Sequence, residues 1–184
     1  MSIRPLPNII ITGTPGCGKT SHAEIISNEL DGFKHINITD FAKDNDAYDG
    51  FDKERNSHIV DEDKLLDALE PILEKGGILI DWHACDMFPE RLIDLVVVLR
   101  TENGTLYERL EKRNYSQSKI DENLDCEIME VILQEAKESY AEEIVVELES
   151  NNTDDIDSNS QRIKSWIDSW KVNNPEGASN ELSM

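Results

Sequence analysis

Positive charge is scarce in this chain: 18 Lys and Arg stand against 39 Asp and Glu, a formal net charge of −21. Such a field repels phosphate backbones and anionic membranes, so direct DNA or RNA binding would need a local basic patch, and a basic protein partner suits it better. Cysteine is also thin. Cys17, Cys85 and Cys126 are scattered and form no CxxC pair, which suggests neither a disulfide framework nor a zinc cluster and points to a reducing compartment. No stretch approaches the ~18 apolar residues of a membrane span, and Met1 to Pro7 has no apolar core of signal-peptide length. An intracellular protein without membrane contact is the expectation. The DxxG and [NT]KxD patterns of GTPases are missing as well, which leaves adenine as the favoured base by elimination.

What is present alternates. Short apolar runs at Asn8–Thr12, Phe33–Ile38, Ile78–Asp81, Leu92–Leu99 and Ile144–Leu148 read as strands. Between them, helical spacing is read at Lys19–Leu30, Lys64–Glu74, Thr105–Arg113, Cys126–Ala141 and Ser160–Lys171. Loops are expected over Asn114–Asn123 and Asn151–Asn159. The expectation is a single α/β domain over residues 1–172, with a mainly five-stranded parallel sheet covered on both faces and a disordered tail over 173–184. The polar, acid-rich segment Asp40–Asp63 looks like an exposed insertion. Within it His58, Asp61, Glu62 and Asp63 fit a solvated, capped helix start better than a metal site.

Gly13-Thr14-Pro15-Gly16-Cys17-Gly18-Lys19-Thr20 matches GxxxxGK[ST] at every fixed position, between the first strand and the first helix. Glycines let backbone N–H groups turn around phosphate oxygens, and the helix N-terminus adds partial positive charge. Lys19 would reach the β- and γ-phosphates, and the Thr20 hydroxyl would ligate Mg²⁺. Cys17, inside this loop, is expected to be biased towards thiolate by the same donors. Asp81, ending the third strand, has the position of the acid that holds the metal or its water shell. Asp81-Trp82-His83 then raises a chemical question. If the strand continues, period two places Asp81 and His83 on one side, and His83 would face the γ-phosphate region. A nucleoside monophosphate is already anionic and needs no base to attack, whereas water needs orienting.

The P-loop GTPGCGKT, the acidic segment with YDGFD and IVDED, the DWH triplet, FPER and the RNY stretch together resemble the nucleoside-monophosphate kinases, most closely the atypical nuclear adenylate kinase branch, adenylate kinase isoenzyme 6. The resemblance runs from Asn8 to about Trp170. It implies a P-loop NTPase three-layer fold, a monophosphate-binding insertion at about 37–60 and a short lid at about 112–122. It implies ATP contacts at Gly13, Gly16, Cys17, Gly18, Lys19, Thr20, Ser21 and Arg113, AMP contacts at Asp40 and Arg91, and metal contacts at Thr20 and Asp81. Catalytic roles fall on Lys19, Asp81, His83 and Arg113. Arg91 is the less regular match, because Glu90 interrupts the family's FPR element. Arg100 and Arg109 are further candidates.

Three functional classes follow. The first is an Mg²⁺-dependent ATP:AMP phosphotransferase, expected to be monomeric, with a slower ATPase activity in which His83 positions water or moves a proton. The second, which the resemblance implies, is a nucleotide-gated assembly factor in the nucleus and cytoplasm, holding a basic ribosomal protein during small-subunit maturation. The third is a small-molecule kinase for another acceptor, such as shikimate or gluconate.

Overall fold

The computed structural model describes residues 2–54 and 57–181, apart from the side chain of Ser57. In chain order the elements are β1 (Ile3–Arg4), β2 (Ile9–Gly13), α1 (Lys19–Glu29), β3 (Lys34–Asn37), α2 (Ile38–Asp44), β4 (Tyr48–Asp52), β5 (Ser57–Val60), α3 (Glu62–Leu73), β6 (Ile78–Asp81), β7 (Leu95–Arg100), α4 (Asn103–Lys112), α5 (Gln117–Ile128), α6 (Val131–Ser139), β8 (Val145–Glu149), α7 (Thr153–Asn173) and β9 (Ala178–Ser179).

Five parallel strands form the main sheet in the order β3-β6-β2-β7-β8. Every residue of β2 is buried, as a continuous β-branched run at the centre of a parallel sheet requires. Period two then divides the core. Ile10 packs with Ile80, Val96 and Val98 against Leu65 and Leu69 of α3 and Leu133 of α6. Ile9 and Ile11 pack with Leu79, Val97 and Leu99 against Ile26 of α1, Leu106 of α4 and Ile163 of α7. Emptying one such position, as in Ile10→Ala, removes about 2–5 kcal/mol of stability.

The segment expected to be an insertion is α2 followed by the β4–β5 hairpin, whose Tyr48 ring stacks on His58 at 4.4 Å between centroids. Asp61 accepts a hydrogen bond from the Lys64 N–H at 3.2 Å and caps α3. No cluster of metal-ligating side chains occurs here or elsewhere among the described residues.

Four expectations are corrected. The loop expected over 114–123 is mostly the first half of α5, started by the Ser116 hydroxyl, which accepts from the Lys119 N–H at 3.2 Å. Its polar surface hides the helical spacing of Ile120 and Leu124, which pack on the core. The single helix expected from Cys126 is divided at Glu130, whose φ of 55° lets α6 start in a new direction. Helix α7 begins within the expected loop, because Asn152 caps it by accepting from the Asp155 N–H at 2.9 Å. The tail is structured over its described part, 173–181, with 182–184 outside the described residues: β9 pairs antiparallel with β1, and Asn180 is buried, its side chain bonded to Ser2, Arg4 and Glu74.

Candidate nucleotide site

The carboxyl ends of β2, β3 and β6 open on one cavity of about 610 Å³. Its floor is the Gly13–Thr20 loop. Gly16 and Gly18 have φ of 97° and 88°, a region that only glycine adopts freely, and a Cβ at Gly16 would meet Leu106 at 2.8 Å. Gly16, Gly18, Lys19, Thr20 and Ser21 all line the cavity.

The loop's carbonyls are held from behind. Lys19 Nζ donates to the carbonyls of Gly13 at 3.0 Å and Thr14 at 3.4 Å. Arg109 donates to Gly16 O at 3.1 Å and to Ser150 O at 2.9 Å, and Ser150 Oγ donates to Cys17 O at 2.6 Å. His22 Nδ1 lies 2.7 Å from Gly18 O, while Asn159 Nδ2 donates to His22 Nε2 at 3.2 Å. Both contacts are satisfied by one neutral tautomer with the proton on Nδ1, and burial lowers the His22 pKa in agreement. With its carbonyls engaged from outside, the loop keeps its N–H groups for the inside.

Asp81 ends β6 in register with Ile11 and Asn37. Its Oδ2 accepts from Thr20 Oγ1 at 2.6 Å, His35 Nε2 at 2.9 Å and Asn37 Nδ2 at 3.3 Å. Burial alone would raise its pKa, but the bonds from His35 and Thr20 and the charge of Lys19 outweigh it and hold the carboxyl below its ordinary value. A hydroxyl and an ionised carboxylate in contact are hard oxygen donors that fit Mg²⁺, an ion that keeps several waters and takes few protein ligands.

Strand β6 stops at Asp81. Trp82 makes a T-shaped contact with Phe88 and packs on the core, while also lining the cavity beside His83. The His83 carbonyl is fixed by the Thr12 hydroxyl at 3.3 Å. The His83 imidazole is lowered to about 4 by the protein around it and then by the Lys19 charge. Both causes favour the neutral ring at pH 7, in a residue that is open to the cleft. Lys19 is itself lowered by burial. Arg113 closes α4, is exposed and lines the cavity, and among the described residues its guanidinium makes no ion pair.

The structure does not bring every candidate here. Arg91 lies four residues before β7, which runs parallel to β2, so it sits at the opposite end of the sheet from the P-loop. There it is ion-paired with Glu70 and donates to Asn180 O at 2.6 Å, away from any acceptor phosphate in the cavity. Asp40 is exposed and its N–H caps back to Asn37 at 3.1 Å; Asn37 and Thr39 line the cavity in its place. Arg100 is ion-paired with Glu127. Cys17 lends the loop its main chain only. Its thiol is buried and donates to Glu127 Oε2 at 3.3 Å, and burial with the Glu127 charge raises it to about 12, so the expected thiolate does not form. The cavity walls also include Tyr115 of the RNY stretch and Lys119, both within the lid expected at about 112–122, together with Asn123, Val131, Ile132 and Glu135, which were not singled out from the sequence. An Arg-Asn-Tyr followed by a Ser N-cap is the signal that places Lys119 on a helix there.

A family described as an AAA domain matches residues 9–130. The protein named adenylate kinase isoenzyme 6 homolog in Saccharomyces cerevisiae is 58% identical over 175 residues, 95% of this chain and 89% of its own length. The Candida albicans protein of that name is 56% identical over 192 aligned positions, 100% of this chain and 77% of its own. The Dictyostelium discoideum protein is 51% identical over 171 residues, 93% and 97%. In fold the chain is similar to a shikimate kinase from Acinetobacter baumannii, solved with shikimate, with a TM-score of 0.63 at 17% identity over 91% of this chain and 96% of that one.

Proposed function

The chain belongs to the adenylate kinase isoenzyme 6 family of P-loop nucleotide kinases, and from that membership we propose that it transfers the γ-phosphoryl group of ATP to AMP, with slower hydrolysis of ATP. The observation that carries this reading is the contact of Thr20 with Asp81 at 2.6 Å beside the P-loop, facing the same cavity as His83 and Arg113. An oxygen of the AMP phosphate attacks the γ-phosphorus. The new P–O bond forms as the bond to the β-γ bridging oxygen breaks, leaving ADP on both sides. Loop N–H groups and Lys19 hold the β- and γ-phosphates, and the Arg113 fork offsets charge spreading over the equatorial oxygens. Mg²⁺ at Thr20 and Asp81 would supply further charge neutralisation on the phosphate tail.

His83 is idle in transfer to AMP, because the acceptor is already an anion. With water as acceptor, its neutral ring can take the proton that the attacking water loses. A lid made of a few residues between α4 and α5 excludes water incompletely, which supports leakage into hydrolysis. Purified protein with Mg-ATP and AMP is expected to give ADP; turnover retained in Lys19→Ala would sink the assignment.

Beyond the chemistry, the role proposed is small ribosomal subunit maturation in the nucleus and cytoplasm, through a basic ribosomal protein. The net charge of −21 supports such a partner. Capture of small-subunit proteins at low salt, lost at high salt, is the expected result; no basic partner at low salt would remove this role. A panel of hydroxyl acceptors, shikimate and gluconate included, tests the alternative chemistry: phosphorylation of either, with AMP inert, would replace the adenylate kinase reading.

A further inference from the structure

With Arg91 held at the other end of the sheet, an acceptor phosphate in the cavity needs a different cation. Among the described residues, Lys and Arg side chains line the cavity at three positions: Lys19, Arg113 and Lys119. Lys19 is half-buried and donates to the P-loop carbonyls, and Arg113, at the end of α4, has the role proposed above on the phosphoryl being moved. Lys119 is six residues further on, in the first turn of α5 and half-buried. Its ammonium rests 4.4 Å from the centroid of the Tyr115 ring, which lines the same cavity. An aromatic face attracts a cation without neutralising it, so the charge stays available to an anion.

Across the cavity from α5, Glu135 of α6 repels a phosphate, whereas Val131, Ile132 and Trp82 offer apolar surface to a nucleoside. Glu135 is pushed up by burial and by the charges of Asp86 and Glu138, so negative charge is crowded on that side. We propose that Lys119 is the acceptor-phosphate ligand, the cation that Arg91 supplies only on paper; this rests on the AMP phosphotransferase reading above. Lys119 binds the phosphate of the incoming monophosphate, Arg113 faces the phosphoryl in flight, and the two lie on one flank with Asn114–Ser116 between α4 and α5. A cation anchored by Tyr115 would position the acceptor oxygen for in-line attack.

The test is steady-state kinetics of ADP formation with each substrate varied in turn. Lys119→Met is expected to raise KM for AMP by about tenfold or more while KM for ATP moves by less than about twofold, the signature of lost acceptor binding. Lys119→Arg, which keeps the charge, is expected to stay within about threefold of wild type for both substrates. Calorimetric titration of AMP into Lys119→Met is expected to show the same loss of affinity. An unmoved KM for AMP in Lys119→Met, or a parallel rise in KM for ATP, would overturn the assignment and leave the adenylate kinase reading standing. Absence of ADP formation from AMP by wild-type protein would overturn both.

Discussion

The two ends of the central sheet both gather charged side chains, and they use them differently. At the amino end Arg4 pairs with Asp94 at 2.8 Å and with the Asn180 side chain at 2.6 Å. Asp94 also accepts from the Asn8 N–H at 2.9 Å, and Arg91 is tied to Glu70 and to the Asn180 carbonyl. Donors and acceptors there are matched to each other, apart from the buried Arg4 Nε, which has no hydrogen-bond partner among the described residues. At the carboxyl end Lys19 rests on carbonyls, Lys119 on a ring face, and the Arg113 fork meets no carboxylate among the described residues. The lesson is that a charged side chain marks function when its partners are weaker than the group it could bind, and marks architecture when they are equal to it.

Lys19→Ala gives the sharpest separation between the two ends. Turnover of ATP is expected to fall by at least about 10³-fold, with the melting temperature undiminished, in parallel assay and calorimetry. Asp94→Ala should do the reverse, stranding the Arg4 charge and lowering stability by about 3–5 kcal/mol in urea unfolding while folded protein keeps its turnover. His83→Ala is expected to reduce ATP hydrolysis by about 10²-fold but AMP-directed transfer by less than about tenfold, so the ratio of the two rates reports the histidine's job.

Titration gives a smaller and broader effect. His22 is buried neutral behind the P-loop, with its folded pKa lowered. It therefore contributes stability that is fully present above the unfolded value of about 6.5 and is lost as pH falls through the folded one. His22→Gln should flatten the acid limb of a stability-against-pH curve measured by chemical denaturation. The smallest response is expected of Cys17. Its thiol is protonated and buried, so a thiol reagent should leave it unmodified in the native protein at pH 7, while urea exposes it.

The parts legible in the sequence were those written in consecutive residues. β2, the GTPGCGKT turn and the start of α1 are one continuous strand-loop-helix, and their apolar and glycine spacing states it outright. Asp81 could be read for the same reason, as the end of a short apolar run. Less was legible where a role depends on which distant strand lies alongside. FPER looks local, yet whether Arg91 meets the cavity depends on the direction of β7 and on an anchor from Asn180, 89 residues later. The brace behind the P-loop joins His22 to Asn159 and Gly16 to Arg109 across 137 and 93 residues, and no spacing rule announces it. Lys119 was hidden by composition: the first turn of α5 is Gln-Ser-Lys, polar enough to read as loop until its Ser116 cap is noticed.

The antiparallel pairing of β1 with β9 sets Ile3 beside Ser179 at the face remote from the P-loop. A spectroscopic label on either strand of that pair would therefore report opening of the amino end of the sheet separately from any change in the phosphate cradle.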